Sequence, residues 1–167
     1  MSTHPVISAD TLIRMATHYL ARHSASTAHL RDVLARKIRR RCDARDLPVP
    51  DEADIRATID VAVERLTRTG LLDDQAYARG RARTLAAKGW PAWRIRTELQ
   101  RQDIDAPAGT LELDETAQAR RLAERRRLGP FRSGERPAYR DKDIRSLARA
   151  GYPVSIAKVV IDGVGED

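Results

Sequence analysis

Apolar residues recur along most of this chain at the three- and four-residue spacing of amphipathic α-helices. The first such segment starts near Ser8 or Asp10, and the second starts near Ser26, whose hydroxyl suits an N-cap. The three best apolar faces are Leu12, Ala16, Tyr19 and Leu20; Leu30, Val33, Leu34 and Ile38; and Ile55, Ile59, Ala62, Val63 and Leu66. Alternation typical of β-strands is limited to the short segment 157–161. The pattern therefore predicts an all-α chain.

Helix-breaking and capping residues divide the pattern into nine predicted helices. The second ends before Pro48 and Pro50, since proline lacks an N–H and clashes with the preceding turn. Asp51 suits the N-cap of the third helix, and Gly70 suits the left-handed position after its end. The remaining predicted elements are a helix from Asp73 to Gly89, one with Pro91 as its first residue, a short one near Pro107–Leu113, one at 115–128, a loop at 130–137, and helices at 138–150 and 154–162.

A sequence repeat groups these helices. The segments 30–36 and 95–101 share one order: an apolar residue, Arg, two other residues, Leu, one other residue and a second Arg. The segment 144–149 is a shortened form. A Gly-aromatic-Pro triplet also occurs at 89–91 and at 151–153. We therefore predict three tandem three-helix, helix-turn-helix-like repeats in an elongated array, because units this small bury a core by stacking. The predicted boundaries are 9–70, 71–113 and 114–162, followed by a frayed tail at 163–167.

The charge distribution suggests a polyanionic partner. The 167 residues carry a formal charge of +7, and 27 of the 31 basic side chains are Arg. Residues 1–50 hold nine basic and four acidic side chains, whereas residues 51–105 are balanced, and a second dense Arg run occupies 120–127. Such fields attract nucleic acid or acidic proteins. The competing interpretation is that these are solvated helix faces that only keep the chain soluble.

The types and spacing of the polar residues give little indication of an enzyme. The four histidines show no i, i+4 pair and no partnering cysteine, so neither a metal site nor a cofactor is expected. Cys42 has no suitably spaced base, and helix capping explains Asp73 of the Asp73-Asp74 pair better than acid–base chemistry does. Glycine-rich phosphate loops are missing. The sequence thus predicts a binding protein rather than an enzyme.

The sequence also suggests where the protein acts. No apolar run reaches the length of a membrane helix, and no secretory signal is visible. Together with a single cysteine, this predicts a cytoplasmic protein. No heptad seam suggests a coiled coil, so a monomer is expected.

Candidate binding residues lie on three predicted helices. Arg36, Lys37 and Arg40 point away from the apolar face of the second helix. On the fourth and fifth helices, Arg79 with Arg83 and Arg94 with Arg101 are spaced to share faces. Trp90 and Trp93 are predicted to pack the junction between those helices, although stacking on bases is the alternative.

The junction 70–78, Gly-Leu-Leu-Asp-Asp-Gln-Ala-Tyr-Ala, resembles the junction between the first and second repeats of the bacterial RecX proteins. Residues 93–99 are similar to the Arg-rich helix that follows in that family, and 126–132 and 144–152 resemble its third repeat in the alphaproteobacterial form. The resemblance covers residues 11–162. It implies three three-helix repeats that bind the RecA filament on single-stranded DNA, lie in its groove and restrain strand exchange, co-protease and ATPase activity.

Two features differ from that family pattern, namely the long basic linker at 41–50 and the loop at 130–137. The sequence leaves filament capping, groove binding and a weak direct contact with DNA as open alternatives. A helix-turn-helix-like regulator that binds duplex DNA without RecA is the alternative function. Its weakness is a lack of Asn and Gln at base-reading positions of the Arg-rich helices.

Overall fold

The computed structural model describes residues 7–106, 109 and 111–163, and these residues form helices without any strand. The elements are α1 (Ala9–Leu20), α2 (Thr27–Asp43), α3 (Glu52–Arg68), α4 (Asp74–Ala87), α5 (Ala92–Gln100), α6 (Glu115–Arg126), a 3₁₀ turn (Gly129–Phe131), α7 (Arg136–Arg149) and α8 (Val154–Asp162). The predicted all-α class is confirmed.

The predicted N-caps are confirmed by their hydrogen bonds. The Ser8, Ser26 and Asp51 side chains accept from backbone N–H groups of the first turns of α1, α2 and α3 at 3.3, 3.2 and 2.8 Å. The Asp73 carboxylate accepts from Gln75 N and Ala76 N at 2.8 and 2.9 Å at the start of α4. Each bond satisfies a backbone donor that the helix leaves without a partner.

Several predicted helix ends need correction. The helix predicted to end at Leu128 ends at Arg126, because Arg127 adopts a left-handed conformation with φ +54°. Proline at the second position of α7 lets that helix begin at Arg136 rather than Ala138, and Pro91 is the N-cap of α5 rather than its first residue. Part of the predicted helix at 107–113 lies outside the described residues, and its described residues are not helical. Of the predicted tail at 163–167, residues 164–167 also lie outside them, and Gly163 is the C-cap of α8.

The chain divides into two compact units, one ending at Tyr77 and one starting at Ala78. The boundaries of the three repeats stay a prediction. In the first unit, α1, α2 and α3 pack around one apolar core. That core contains all the predicted inward residues of α3 but only Leu30, Leu34 and Ile38 of α2, and it also takes in Cys42, whose side chain is fully buried. Val33, also predicted to point inward, is buried but lines a surface groove instead. Asp74 closes the unit by accepting from Thr27 N, the first residue of α2, at 2.7 Å.

The second unit has a separate core in which α6, α7 and α8 pack together with the 3₁₀ turn. One buried ion pair supports the turn. Asp143 of α7 is 1% exposed and accepts from Arg132 Nη2 at 2.6 Å, from Arg132 Nε at 3.1 Å and from Gly129 N at 2.8 Å. Burial opposes ionisation of Asp143, but these hydrogen bonds outweigh it and hold the pKa of the carboxyl below its ordinary value.

The second Gly-aromatic-Pro triplet, at 151–153, contacts both the first triplet and α5 within this unit. The Tyr152 hydroxyl donates to the Gly89 carbonyl at 3.0 Å, and the Trp93 indole N–H donates to the Gly151 carbonyl at 3.1 Å. We name this pair of bonds the reciprocal clasp. Gly89 also lies so close to α6 that a Cβ on it would be 2.9 Å from Leu122 N. The clasp therefore ties the junction of α4 and α5 to the junction of α7 and α8, and the close approach of Gly89 places the end of α4 beside α6.

Candidate functional site

The predicted cationic residues of α2 share one surface. Arg36 and Arg40 are exposed and Lys37 is half-buried, and all three line an open groove of about 310 Å³ together with Tyr19, His29 and Val33. We call this surface the α2 basic face. Tyr19 and His29 join across it through a 3.0 Å hydrogen bond between the Tyr19 hydroxyl and His29 Nε2.

The charges of the α2 basic face are not neutralised. Arg36, Lys37 and Arg40 form no ion pair within the described part of the chain. By contrast, Arg31 and Arg39 of the same helix pair with Asp60 and Glu52 of α3. The helix therefore uses one edge of its basic surface to hold α3 and leaves the other edge available to an anion.

A second cationic surface lines a cleft between α4 and α6, and we call it the α4–α6 cleft. Arg79 and Arg83 of α4 are one turn apart on one wall, and Arg121 of α6 is on the other. Ala82, Ala86 and Ala117 line the space between them, and the cleft has a volume of about 440 Å³. Two carboxylates, Glu112 and Asp114, also line it. Asp114 is engaged as the N-cap of α6, where it accepts from Ala117 N at 3.0 Å.

Gln118 lines the same cleft and is 1% exposed. Both polar atoms of its amide, Nε2 and Oε1, are buried without a hydrogen-bond partner in the described structure. A buried amide with neither its donor nor its acceptor satisfied is uncommon, because each unpaired group carries the full cost of losing water. The cleft thus combines exposed cations with an unsatisfied amide.

The two remaining predicted residues lie outside the cleft lining. Arg94 stacks on the Trp90 ring, with its guanidinium carbon 3.9 Å from the ring centroid. Arg101 lies 3.9 Å from Glu98, which also contacts Arg81 at 3.5 Å. These engagements leave Arg94 and Arg101 less free to bind an external anion than Arg79 and Arg83. For all seven predicted residues, the role in binding stays a prediction.

Trp93 was predicted to pack the junction between α4 and α5, but its contacts are with Gly151, between α7 and α8. Its ring is 51% exposed, yet its indole N–H belongs to the reciprocal clasp. A Cβ added at Gly151 would lie 2.2 Å from Trp93 Nε1, so the glycine makes room for the ring. Trp90 instead supports Arg94.

Catalytic or metal-binding geometry does not emerge from the described residues. No group of three or more His, Cys, Asp or Glu side chains is placed there to hold a metal ion. The Asp73-Asp74 pair is divided between two structural tasks, since Asp73 caps α4 and Asp74 accepts from Thr27 N at the start of α2, where Ser26 is the N-cap. No helix in the described ranges is both long and apolar enough to cross a membrane.

Sequence reasoning missed Gln118 and Arg121 as site residues. Arg121 belongs to the second Arg run, but only the tertiary structure places it in the lining of the same cleft as Arg83. Its position in the sequence could have identified Gln118, because it lies one position before Ala119 and four before Leu122, on the inward face of α6. A polar residue at a core position indicates a buried hydrogen-bonding task.

Comparison with known proteins supports one family. Residues 73–108 match the family model described as the second three-helix domain of RecX. The chain is 35% identical to the regulatory protein RecX of Myxococcus xanthus over 165 residues, covering 93% of this chain and 87% of the relative. It is 32% identical to the regulatory protein RecX of Pseudomonas fluorescens, with 95% and 96% covered, and 28% identical to that of Serratia proteamaculans, with 70% and 77% covered.

Proposed function

Because the chain belongs to the RecX family of regulatory proteins, we propose that it binds the RecA recombinase filament on single-stranded DNA and inhibits its strand-exchange, co-protease and ATPase activities. Similarity over nearly the whole chain carries this proposal. The unpaired cations of the α2 basic face add to it. The protein acts in the cytoplasm as a monomer and makes or breaks no bonds.

Binding alone is sufficient for this regulation. A protein that binds one state of a filament more tightly than another shifts the filament toward that state. Three repeats at 9–70, 71–113 and 114–162 allow one chain to contact more than one RecA subunit. The linked contacts then raise the overall affinity above that of each repeat alone.

Two surfaces provide the contact. The α2 basic face and the arginines of the α4–α6 cleft meet the acidic protein surface and the DNA phosphates, while Arg94 and Arg101 contribute from α5. Electrostatic attraction of this kind accelerates association and weakens steeply with added salt. We therefore expect inhibition of RecA to decline as salt rises.

The test measures DNA-dependent ATP hydrolysis and strand exchange by RecA with increasing amounts of this protein. We expect wild-type protein to inhibit both reactions below one copy per RecA subunit, and the triple variant Arg36→Glu/Lys37→Glu/Arg40→Glu to lose most of this inhibition. A matched control reverses the same number of exposed charges elsewhere, at Arg56, Arg145 and Lys158. Circular dichroism verifies that both variants retain their helices.

Two results would contradict the proposal. One is unchanged RecA activity at saturating wild-type protein. The other is equal loss of inhibition in both triple variants, which would assign the effect to net charge rather than to the α2 basic face. Sequence-selective binding to duplex DNA, without any effect on RecA, would favour the helix-turn-helix alternative instead.

A further inference from the structure

A large aromatic side chain lies exposed at the reciprocal clasp. Trp93 is 51% exposed, although tryptophan is on average highly buried in folded proteins. Its indole N–H donates to the Gly151 carbonyl at 3.1 Å, and a Cβ on Gly151 would lie 2.2 and 2.8 Å from Trp93 Nε1 and Cε2. One edge of the indole is therefore fixed against Gly151, while about half of the residue stays open to solvent. A ring held in this way loses little conformational entropy when a ligand packs on it.

The surroundings of Trp93 are cationic. The two segments that the clasp joins, 88–97 and 147–157, contain no Asp or Glu, and their basic residues are Lys88, Arg94, Arg96 and Arg149. We call these four residues and Trp93 the Trp93 surface. None of the four cations forms an ion pair within the described part of the chain. Stacking on Trp90 covers one face of the Arg94 guanidinium but leaves its N–H edge free to meet a phosphate.

Two carboxylates lie close to this surface, and both are engaged. Glu115 accepts from Ala92 N at 3.3 Å, at the start of α5. Glu98 contacts Arg81 at 3.5 Å and Arg101 at 3.9 Å. The four cations outnumber them, so the charge around Trp93 is positive.

We propose that Trp93 is a stacking platform for one unpaired base of single-stranded nucleic acid, with the neighbouring phosphates held by Arg94 and the other cations of the Trp93 surface. Proteins that bind single strands combine aromatic rings, on which bases of any sequence stack, with cations that follow the backbone. The inference goes beyond the proposed function, because it requires no recombinase.

Other ligands match only part of the Trp93 surface. An acidic peptide, or the backbone of a duplex whose bases are already stacked, pairs with the cations but gains little from the ring. A partner protein could pack an apolar side chain on Trp93 and on Val154, which is 52% exposed and begins α8. The core of a protein interface is depleted in charged residues, however, whereas Arg94 directly follows Trp93. A ring among unpaired cations therefore favours a nucleotide.

The first experiment isolates the base. Fluorescence anisotropy measures the affinity of full-length protein, without RecA, for a labelled short oligothymidylate and for an abasic oligomer of equal length. The α2 basic face attracts the phosphates of both oligomers, so the difference in affinity reports contacts with the base. We expect wild-type protein to bind the oligothymidylate about tenfold more tightly than the abasic oligomer.

Two substitutions at Trp93 separate stacking from the clasp. Trp93→Phe and Trp93→Leu both lose the hydrogen bond to Gly151, but only Trp93→Leu loses the flat ring. We expect Trp93→Leu to lose the preference for oligothymidylate and Trp93→Phe to retain most of it. The matched control is Tyr139→Leu, which removes another exposed ring whose centroid already lies 4.3 Å from the Arg132 guanidinium carbon. This control should keep the full preference.

The second experiment observes the ring directly and needs no substitution at position 93. The chain has two tryptophans, so Trp90→Phe leaves Trp93 as the single indole fluorophore and keeps a ring beneath Arg94. A base stacked on the indole quenches its fluorescence. We expect oligothymidylate to quench the emission, and the abasic oligomer and oligoglutamate to leave it nearly unchanged.

Three outcomes would overturn the assignment. These are equal affinity of wild-type protein for the two oligomers, an unaltered preference in Trp93→Leu, and quenching by oligoglutamate as strong as that by oligothymidylate. Circular dichroism verifies that each variant retains its helices. If Trp93→Leu does not fold, the quenching experiment decides the question: quenching by oligothymidylate alone supports the platform, and its absence refutes it.

Discussion

Replacing Tyr152 by Phe removes one hydroxyl from the reciprocal clasp and leaves the aromatic ring in place. The ring is 3% exposed, and its hydroxyl donates to the buried Gly89 carbonyl at 3.0 Å. No other described group donates to that carbonyl. The substitution therefore leaves a buried acceptor without a partner at the point where α4 meets α6.

The expected cost follows from this geometry. Loss of one partner from a buried neutral hydrogen bond destabilises a protein by about 1–2 kcal/mol, because the remaining group has already lost its water. For a chain of this length, about 1 kcal/mol corresponds to about 2–4 °C in melting temperature. We expect Tyr152→Phe to melt about 3–6 °C below wild type.

Urea denaturation followed by circular dichroism provides the measurement. The unfolding midpoint should fall while the slope of free energy against urea stays unchanged, because the variant exposes the same surface on unfolding. The matched control is Tyr139→Phe. Tyr139 is 39% exposed, and its hydroxyl makes no hydrogen bond within the described residues, so its loss should change stability by less than about 0.5 kcal/mol. Equal stability of the two variants would refute the reasoning.

The same residue predicts a response to alkaline pH. Burial, reinforced by the nearby Glu115 carboxylate, raises the pKa of the Tyr152 phenol above its ordinary value. In the unfolded chain the phenol ionises near pH 10, whereas in the folded chain it keeps its proton, so stability declines as pH rises past about 10. Tyr152→Phe should show a shallower decline, and an unchanged slope would contradict the assignment.

Two further predictions concern the same unit. Gly151→Ala forces a Cβ to 2.2 Å from Trp93 Nε1 at a residue with φ +100°, and urea denaturation should show a loss of at least about 2 kcal/mol; a smaller loss than Tyr152→Phe would contradict this. Because the pKa of Asp143 is lowered in the folded protein, the carboxylate stabilises the fold at neutral pH, and this stabilisation is lost as pH falls below about 4. The free energy of unfolding of Asp143→Asn should therefore decline less steeply with acid than that of wild type. An unchanged decline would contradict the pairing of Asp143 with Arg132.

The sequence alone predicted most of the helical architecture. Capping residues and glycines act over one turn, so Ser26, Asp51 and Asp73 marked helix starts and Gly70 marked an end without knowledge of the fold. Helical periodicity likewise separated buried from exposed positions on α2, because the side chains on one face of a helix are set by spacing along the chain. The exposed cations of the α2 basic face follow from the same periodicity.

Only the tertiary structure decided which faces meet. The hydrogen bond between Trp93 and Gly151 joins residues 58 positions apart, and the bond between Tyr152 and Gly89 joins residues 63 positions apart. Capping and periodicity act over a few residues and cannot predict contacts at this separation. The α4–α6 cleft exists for the same reason, since only the fold brings Arg83 and Arg121 into the lining of one cleft. Burial of Gln118 likewise depends on the helices around it, because desolvation is a property of the assembled fold rather than of any one segment.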